Sequence, residues 1–128
     1  MRIHAMTPDP DLERLFATVS GFFGLLGEPT RLKILNALCE GERSVGEIVE
    51  RVASSQTNVS RHLNLMHAKG VLKRRREGQM TFYAVADPTV LTLCRTVCLH
   101  IAGMADDRTV SAKTLRRFMS QPNSKSPS

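Results

Sequence analysis

The chain has no tryptophan, one tyrosine and five phenylalanines, an aromatic fraction of 5%. So few aromatic faces argue against single-strand recognition by base stacking. No run approaches the roughly 18 consecutive apolar residues of a membrane-spanning helix. The opening MRIHAMTPDPDLERL lacks the uninterrupted apolar segment of a secretory leader, so a reducing cytoplasm and no membrane partner are expected. Three cysteines in 128 residues are too few and too odd for a disulfide scaffold. No glycine-rich phosphate loop, nucleophile elbow or paired-carboxylate motif is present. Cys39 with a histidine imitates a thiol nucleophile, but nothing around it supplies an orienting group, so no enzyme and no required cofactor is expected.

Hydrophobic residues make up 41% of the chain, enough for one compact core. Residues 1–10, with Pro8 and Pro10, read as a flexible arm. Residues 11–106 read as one domain, and 107–128 as a short helix through Leu115, Phe118 and Met119 followed by a disordered tail. Leu12, Leu15, Phe16, Val19, Phe22, Phe23 and Leu26 recur at helical spacing. A second helix opens at Pro29 and carries Leu32, Leu35 and Leu38. Ser44 and Glu47 form a capping box for a short third helix with Val45, Ile48, Val49 and Val52. After the polar turn ASSQTN, a fourth helix puts Val59, Leu63 and Met66 inward and stops at Gly70. Two β-prone runs, Val71–Arg75 and Thr81–Val85, flank a hairpin tip REGQ containing Gly78. Asp87 and Pro88 then start a last helix, where Leu91, Cys94, Cys98, Ile101 and Ala105 form a narrow 3-4-3-4 seam suited to another helix. The predicted order is α-α-α-α-β-β-α: a mainly α winged helix-turn-helix.

Eighteen Lys and Arg oppose twelve Asp and Glu, a net charge of +6. The excess is local. Arg61, Lys69, Lys73, Arg74, Arg75 and Arg76 face only Glu77 between positions 61 and 78. The fourth helix offers Ser55, Gln56, Thr57, Asn58, Ser60, Arg61, His62 and Asn64 as outward residues. Amides of this kind bond adenine bidentately, arginine bonds guanine, and hydroxyls donate to bases or phosphates. Its N-terminal end attracts a phosphate. Lys73, Arg74, Arg75 and Arg76, with Gln79 at the tip, alternate faces along the hairpin, so two or three of them can follow a phosphate backbone. Double-stranded DNA is the partner these features favour. A basic hairpin docking on protein is the other reading.

The stretch LGEPTRLKIL…SVGEI…SSQTNVSRHLNLM…GVLKRRREGQMTFYAV resembles the ArsR/SmtB family of bacterial winged-helix repressors over roughly residues 25–85. The resemblance implies a homodimer built from the first and last helices. It also implies an inverted-repeat operator and release by an inducer. One subgroup ligates thiophilic metals through a Cys-x-Cys pair in the third helix, where this chain has Ser44 and Gly46. Another binds zinc on the last helix, where Asp87 and His100 occupy two of four places and Thr89 and Gly103 the others. Other members sense sulfide, persulfide or oxidant with one cysteine in the second helix and one in the last, a layout that Cys39 with Cys94 or Cys98 resembles. Still others bind arsenite. The cysteines therefore have three readings: small core residues, thiols answering a sulfur or oxidant inducer, or ligands of a thiophilic metal or arsenite. Arg95 and His100 are placed to lower the thiol pKa values. A Cys94–Cys98 disulfide is poor geometry, since one helical turn separates Cβ atoms by about 5–6 Å and a disulfide wants about 3.5–4.5 Å.

Overall fold

A computed structural model of the chain describes residues 9–103 and 113–114. Helix α1 spans Pro10–Leu26, α2 Pro29–Leu38, α3 Val45–Val52, α4 Gln56–Ala68 and α5 Thr89–Ala102. Strand β1 is Arg43–Ser44, β2 Leu72–Glu77 and β3 Met80–Val85, in one antiparallel sheet of order β1-β3-β2. The winged helix-turn-helix is therefore as expected, with one strand more than the sequence suggested. The expected arm (except residues 9 and 10), the seam's Ala105, and the expected last short helix and tail (except Lys113 and Thr114) lie outside the described residues.

Each helix starts where the chain supplies an acceptor for its unpaired amides. Asp9 accepts from the Asp11 and Leu12 amides, so Pro10 is the first residue of α1 and not part of an arm. Glu28 accepts from the Arg31 amide at 2.9 Å ahead of Pro29. The Ser44–Glu47 capping box is complete, at 3.2 and 2.9 Å. Ser55 caps α4 by accepting from the Asn58 amide. Asp87 accepts from the Thr89 amide at 3.0 Å two residues ahead of α5, and Pro88, expected as the first helical residue, is instead the residue just before it. Gly70, at φ 82°, turns the chain from α4 into β2, and Gly78, at φ 63°, makes the hairpin tip. The tip is tighter than expected: Glu77 pairs with Met80, leaving only Gly78 and Gln79 between the strands.

The core gathers Ile34, Leu35 and Leu38 from α2, Ile48 and Val52 from α3, and Val59, Leu63 and Met66 from α4, under Tyr83 and Val90. A fully buried aliphatic side chain of this size contributes about 1.5–3 kcal/mol, so three anchors at 0% exposure hold α4 firmly by one face. In α1, by contrast, only Leu25 is buried, and Leu12, Leu15, Phe16, Val19 and Phe23 lie open. The α5 seam also departs from expectation. Leu91 and Cys94 pack on the chain's own core, and the large exposed apolar residues of α5 are Val97 and Leu99.

Arg31 joins three helices. Its Nε and Nη2 donate to the Leu25 and Gly24 carbonyls at the end of α1, at 2.6 and 3.2 Å, and its Nη1 reaches His62 Nδ1 on α4 at 3.2 Å. A guanidinium has only donors, so Nδ1 must accept and His62 is neutral there. His62 is 5% exposed, which corrects its expected DNA-facing role: it plugs the α2–α4 contact. Burial lowers its pKa below the usual 6.5, opposed by Glu28 and aided by Arg61 and Arg31.

Hydrogen bonds from charged donors contribute about 1.5–3 kcal/mol each, so Arg31→Ala is expected to lower the unfolding free energy by about 3 kcal/mol in urea titrations. A loss under about 1 kcal/mol contradicts this role. The lowered His62 pKa means the unfolded chain takes up the proton first. Its stabilising contribution is present above pH 6.5 and is lost as pH falls through the folded value. Urea titrations from about pH 7.5 to about pH 5 should show a steeper loss of stability for the native protein than for His62→Gln. Equal slopes would refute it.

Candidate nucleic-acid interface

An open groove of about 720 Å³ runs between α4 and the hairpin. Gln56, Ser60 and Asn64 line one wall, one per turn of α4, opposite the buried Val59 and Leu63. Arg74 and Arg76 line the other, with Gln79, Met80 and Thr81 at the tip. Side chains alternate along a strand. Leu72 therefore points to the core, Arg74 and Arg76 continue its face into the groove, and Lys73, Arg75 and Glu77 occupy the reverse.

The reverse face is already neutralised. The Arg75 guanidinium grips Glu42 with two hydrogen bonds, at 2.8 and 2.9 Å, and meets Glu77 at 2.7 Å. It also lies 4.5 Å from the Phe82 ring centroid. The pairing holds the Glu42 carboxyl below the usual carboxylate range and raises Arg75 further. Arg75 thus ties the hairpin to the segment leading into β1 and is not presented to the groove, a correction to its expected place. Lys73 shares that reverse face.

Of the residues singled out on α4, Gln56, Ser60 and Asn64 reach the groove, and Thr57 and Arg61 are exposed beside it. Asn58 is half-buried: its amide donates to Ser54 Oγ at 3.0 Å and accepts from Arg61 Nη2 at 2.5 Å, ordering both the turn and the arginine. Ser55 is committed to its cap. Sequence reasoning missed Ser44, Gly46, Met80 and Thr81 in the groove wall. Thr81 was findable, because it stands directly across from Arg76 in the hairpin register. Ser44 and Gly46 stand at the start of α3, and what brings that end to the hairpin is the pairing of β1 with β3, which had no signal.

A second groove, of about 510 Å³ and almost wholly apolar, lies where α5 meets the end of α1 and the start of α2. Cys94 and Cys98 line it with Phe23, Leu26, Leu32 and Val97, while Cys39, at the end of α2, does not. The expected gathering of all three thiols is therefore not found. Among the described residues no three His, Cys, Asp or Glu side chains form a metal-holding group. Nor are the thiols activated. Burial raises all three, with Glu40 adding to Cys39 and Cys98 to Cys94. Arg95 pulls Cys39 and Cys98 down but is outweighed.

A family model of bacterial regulatory proteins, arsR family, matches residues 28–74. A helix-turn-helix transcriptional regulator of Mycobacterium tuberculosis is 32% identical over 105 residues, covering 81% of this chain and 92% of its own. A probable mercury resistance operon repressor of Streptomyces lividans is 42% identical over 76 residues, covering 59% of this chain. That match spans 61% of the repressor's length. A homodimeric winged helix-turn-helix DNA-binding domain from Mycobacterium bovis superposes with a TM-score of 0.68, at 26% identity, covering 84% of this chain and 99% of its own. The chain belongs to the arsR family of winged helix-turn-helix, DNA-binding transcription regulators. Its work is binding and not catalysis. Among the described residues no helix is long and apolar enough to cross a membrane.

If Arg75 fastens the hairpin, Arg75→Ala should speed amide hydrogen exchange across β2 and β3 while leaving α4 protected. Unchanged exchange in the hairpin would show that the Glu42 pair does not hold it.

Proposed function

We propose that the protein is a homodimeric repressor that reads an inverted-repeat operator in duplex DNA and is released by a thiol-directed inducer. The groove between α4 and the hairpin carries this reading. It brings two amide side chains and a hydroxyl on α4, Gln56, Asn64 and Ser60, opposite two arginines, Arg74 and Arg76. In that arrangement α4 enters the major groove with Gln56, Thr57, Ser60, Arg61 and Asn64 toward base edges, and Arg74, Arg76 and Gln79 follow the flanking backbone.

The dimer reading is supported by the open apolar face of α1, where Leu15, Phe16 and Phe23 are each more than half exposed, and by Val97 and Leu99 on α5. A two-fold axis through α1 and α5 sets the two α4 helices about 34–36 Å apart, one turn of DNA, which is why the operator is an inverted repeat. The M. bovis relative is itself homodimeric. The workplace of such a regulator is the cytoplasm.

The inducer reading rests on Cys94 and Cys98, which share one groove at the α1–α2–α5 junction. A persulfide donor that transfers its sulfane sulfur to a thiol there and leaves as the thiol, or an oxidant (alone or together with sulfide) that takes two electrons from the thiol, moves α5 against α1 and α2, and Arg31 links α1 and α2 to α4. A coupling of about 1–3 kcal/mol weakens operator binding 5- to 150-fold. A thiophilic metal or arsenite is the alternative inducer, and the S. lividans relative is named for mercury resistance.

Each phosphate contact adds about 0.9 to the slope of log affinity against log salt. Operator titrations over a salt series should therefore give slopes lower by about 1 for Arg74→Ala and for Arg76→Ala. Arg75→Ala should leave the slope unchanged, because its charge is already matched by Glu42 and Glu77. Salt-insensitive binding that survives the Arg74→Ala/Arg76→Ala double change would sink the DNA assignment. Phe16→Glu should give a folded monomer in sedimentation velocity. A Phe16→Glu dimer of undiminished affinity would place the interface elsewhere.

A further inference from the structure

The apolar groove at the α1–α2–α5 junction already has one later piece of the chain against it. Thr114 lines it, together with Phe23, Leu26, Leu32, Val97 and Ile101. None of the described side chains lining it is charged. Phe23 and Val97 are each more than half exposed, so the groove opens apolar surface to water. Lys113 and Thr114 have helical backbone, and the residues that follow are Leu115, Arg116, Arg117, Phe118 and Met119.

A helix turns about 100° per residue. Counted from Thr114, Phe118 then falls at about 40°, Leu115 at about 100° and Met119 at about 140°. Thr114 and these three apolar residues share one face, and Lys113, Arg116 and Arg117 share the other. Arg95 acts on the Cys98 thiol in the groove, and a seated face without a cation adds no repulsion to it. After Met119 the chain reads SQPNSKSPS, with Pro122 to stop a helix and no further apolar anchor. The competing occupant is a second copy. The face read above as its contact includes Leu12, Leu15, Phe16 and Val19 of α1 and Leu99 of α5, none of which lines the groove, and only Phe23 and Val97 border both surfaces. A tethered segment also competes at an effective concentration of about millimolar.

We propose that the groove is the docking site of the chain's own C-terminal segment, with Leu115, Phe118 and Met119 seated in it as a continuation of the helical backbone at Thr114. Cys94 and Cys98 line the groove and Cys39 does not. The seated segment therefore stands between two of the three thiols and any reagent in solution. A thiol-directed inducer reaches them only when the segment lifts, which makes the C-terminal residues a control on access.

The test alkylates the full chain with N-ethylmaleimide and follows each cysteine by peptide mass spectrometry, with Cys39 as the internal reference. Leu115→Glu/Phe118→Glu should speed Cys94 and Cys98 by about tenfold or more relative to Cys39. Arg116→Glu/Arg117→Glu, on the opposite face, should leave them slow. Circular dichroism checks that each variant is folded. A photo-crosslinker in an otherwise native chain, Phe118→p-benzoylphenylalanine, should attach to Leu26, Leu32 or Leu93 of the same chain, as read in mixtures of light- and heavy-isotope protein. Unchanged alkylation in Leu115→Glu/Phe118→Glu, or no attachment within the groove, overturns the proposal. Attachment between light and heavy chains, or thiols that quicken only on dilution, also overturns it, because a second copy is then the occupant. No readout here uses DNA or an inducer, so the DNA-binding and thiol-directed readings stand or fall separately.

Discussion

The fold depends most on the contact between the Arg31 guanidinium and His62. The α1 helix buries a single side chain fully, so packing alone holds it weakly to the rest. Its last carbonyls instead receive two charged donors from α2, and the same guanidinium reaches the inner face of α4. One side chain thus closes a helix end, orients a neutral imidazole and connects the helix that is open to a partner with the helix that faces the groove. Two of the three bonds, to the Leu25 carbonyl and to His62, are partly buried, so losing the guanidinium leaves polar atoms that water reaches less easily, which is why the contact matters beyond its own energy.

The basic hairpin shows how a charge count misleads without a partner map. Four consecutive basic residues look like a uniform patch, yet strand alternation divides them, and the two faces have different environments. Arg74 and Arg76 open onto the groove, while Arg75 is fully engaged by carboxylates and an aromatic ring. The alternation was legible in the sequence. The engagement was not, because Glu42 lies 33 residues away and only the sheet brings it near.

The five helices and the hairpin were legible because their apolar spacing and caps agree, as at Ser44 with Glu47 and at Pro29. Strand β1 was not, since two residues carry no period. His62 is a sharper lesson. Positions 59, 62, 63 and 66 already form one inner stripe, and the buried set is Val59, His62, Leu63 and Met66. Spacing placed the histidine inside, and its polar chemistry prompted the wrong assignment. The thiols failed differently: their neighbours were visible, but the burial that outweighs Arg95 was not.

Ser44 ends β1 and also caps α3, and β1 pairs with β3. The helix-turn-helix and the wing therefore share a backbone joint, reinforced from the other side by Arg75 and Glu42. A joint of this kind ties the separation of the two reading heads to the fold more than to the duplex. To the extent that this separation is fixed, a bound duplex conforms to it by changing groove width or bending, and sequences that deform easily are favoured even where no side chain touches a base. The short strand that no periodicity announced would thus make DNA flexibility part of what the protein recognises.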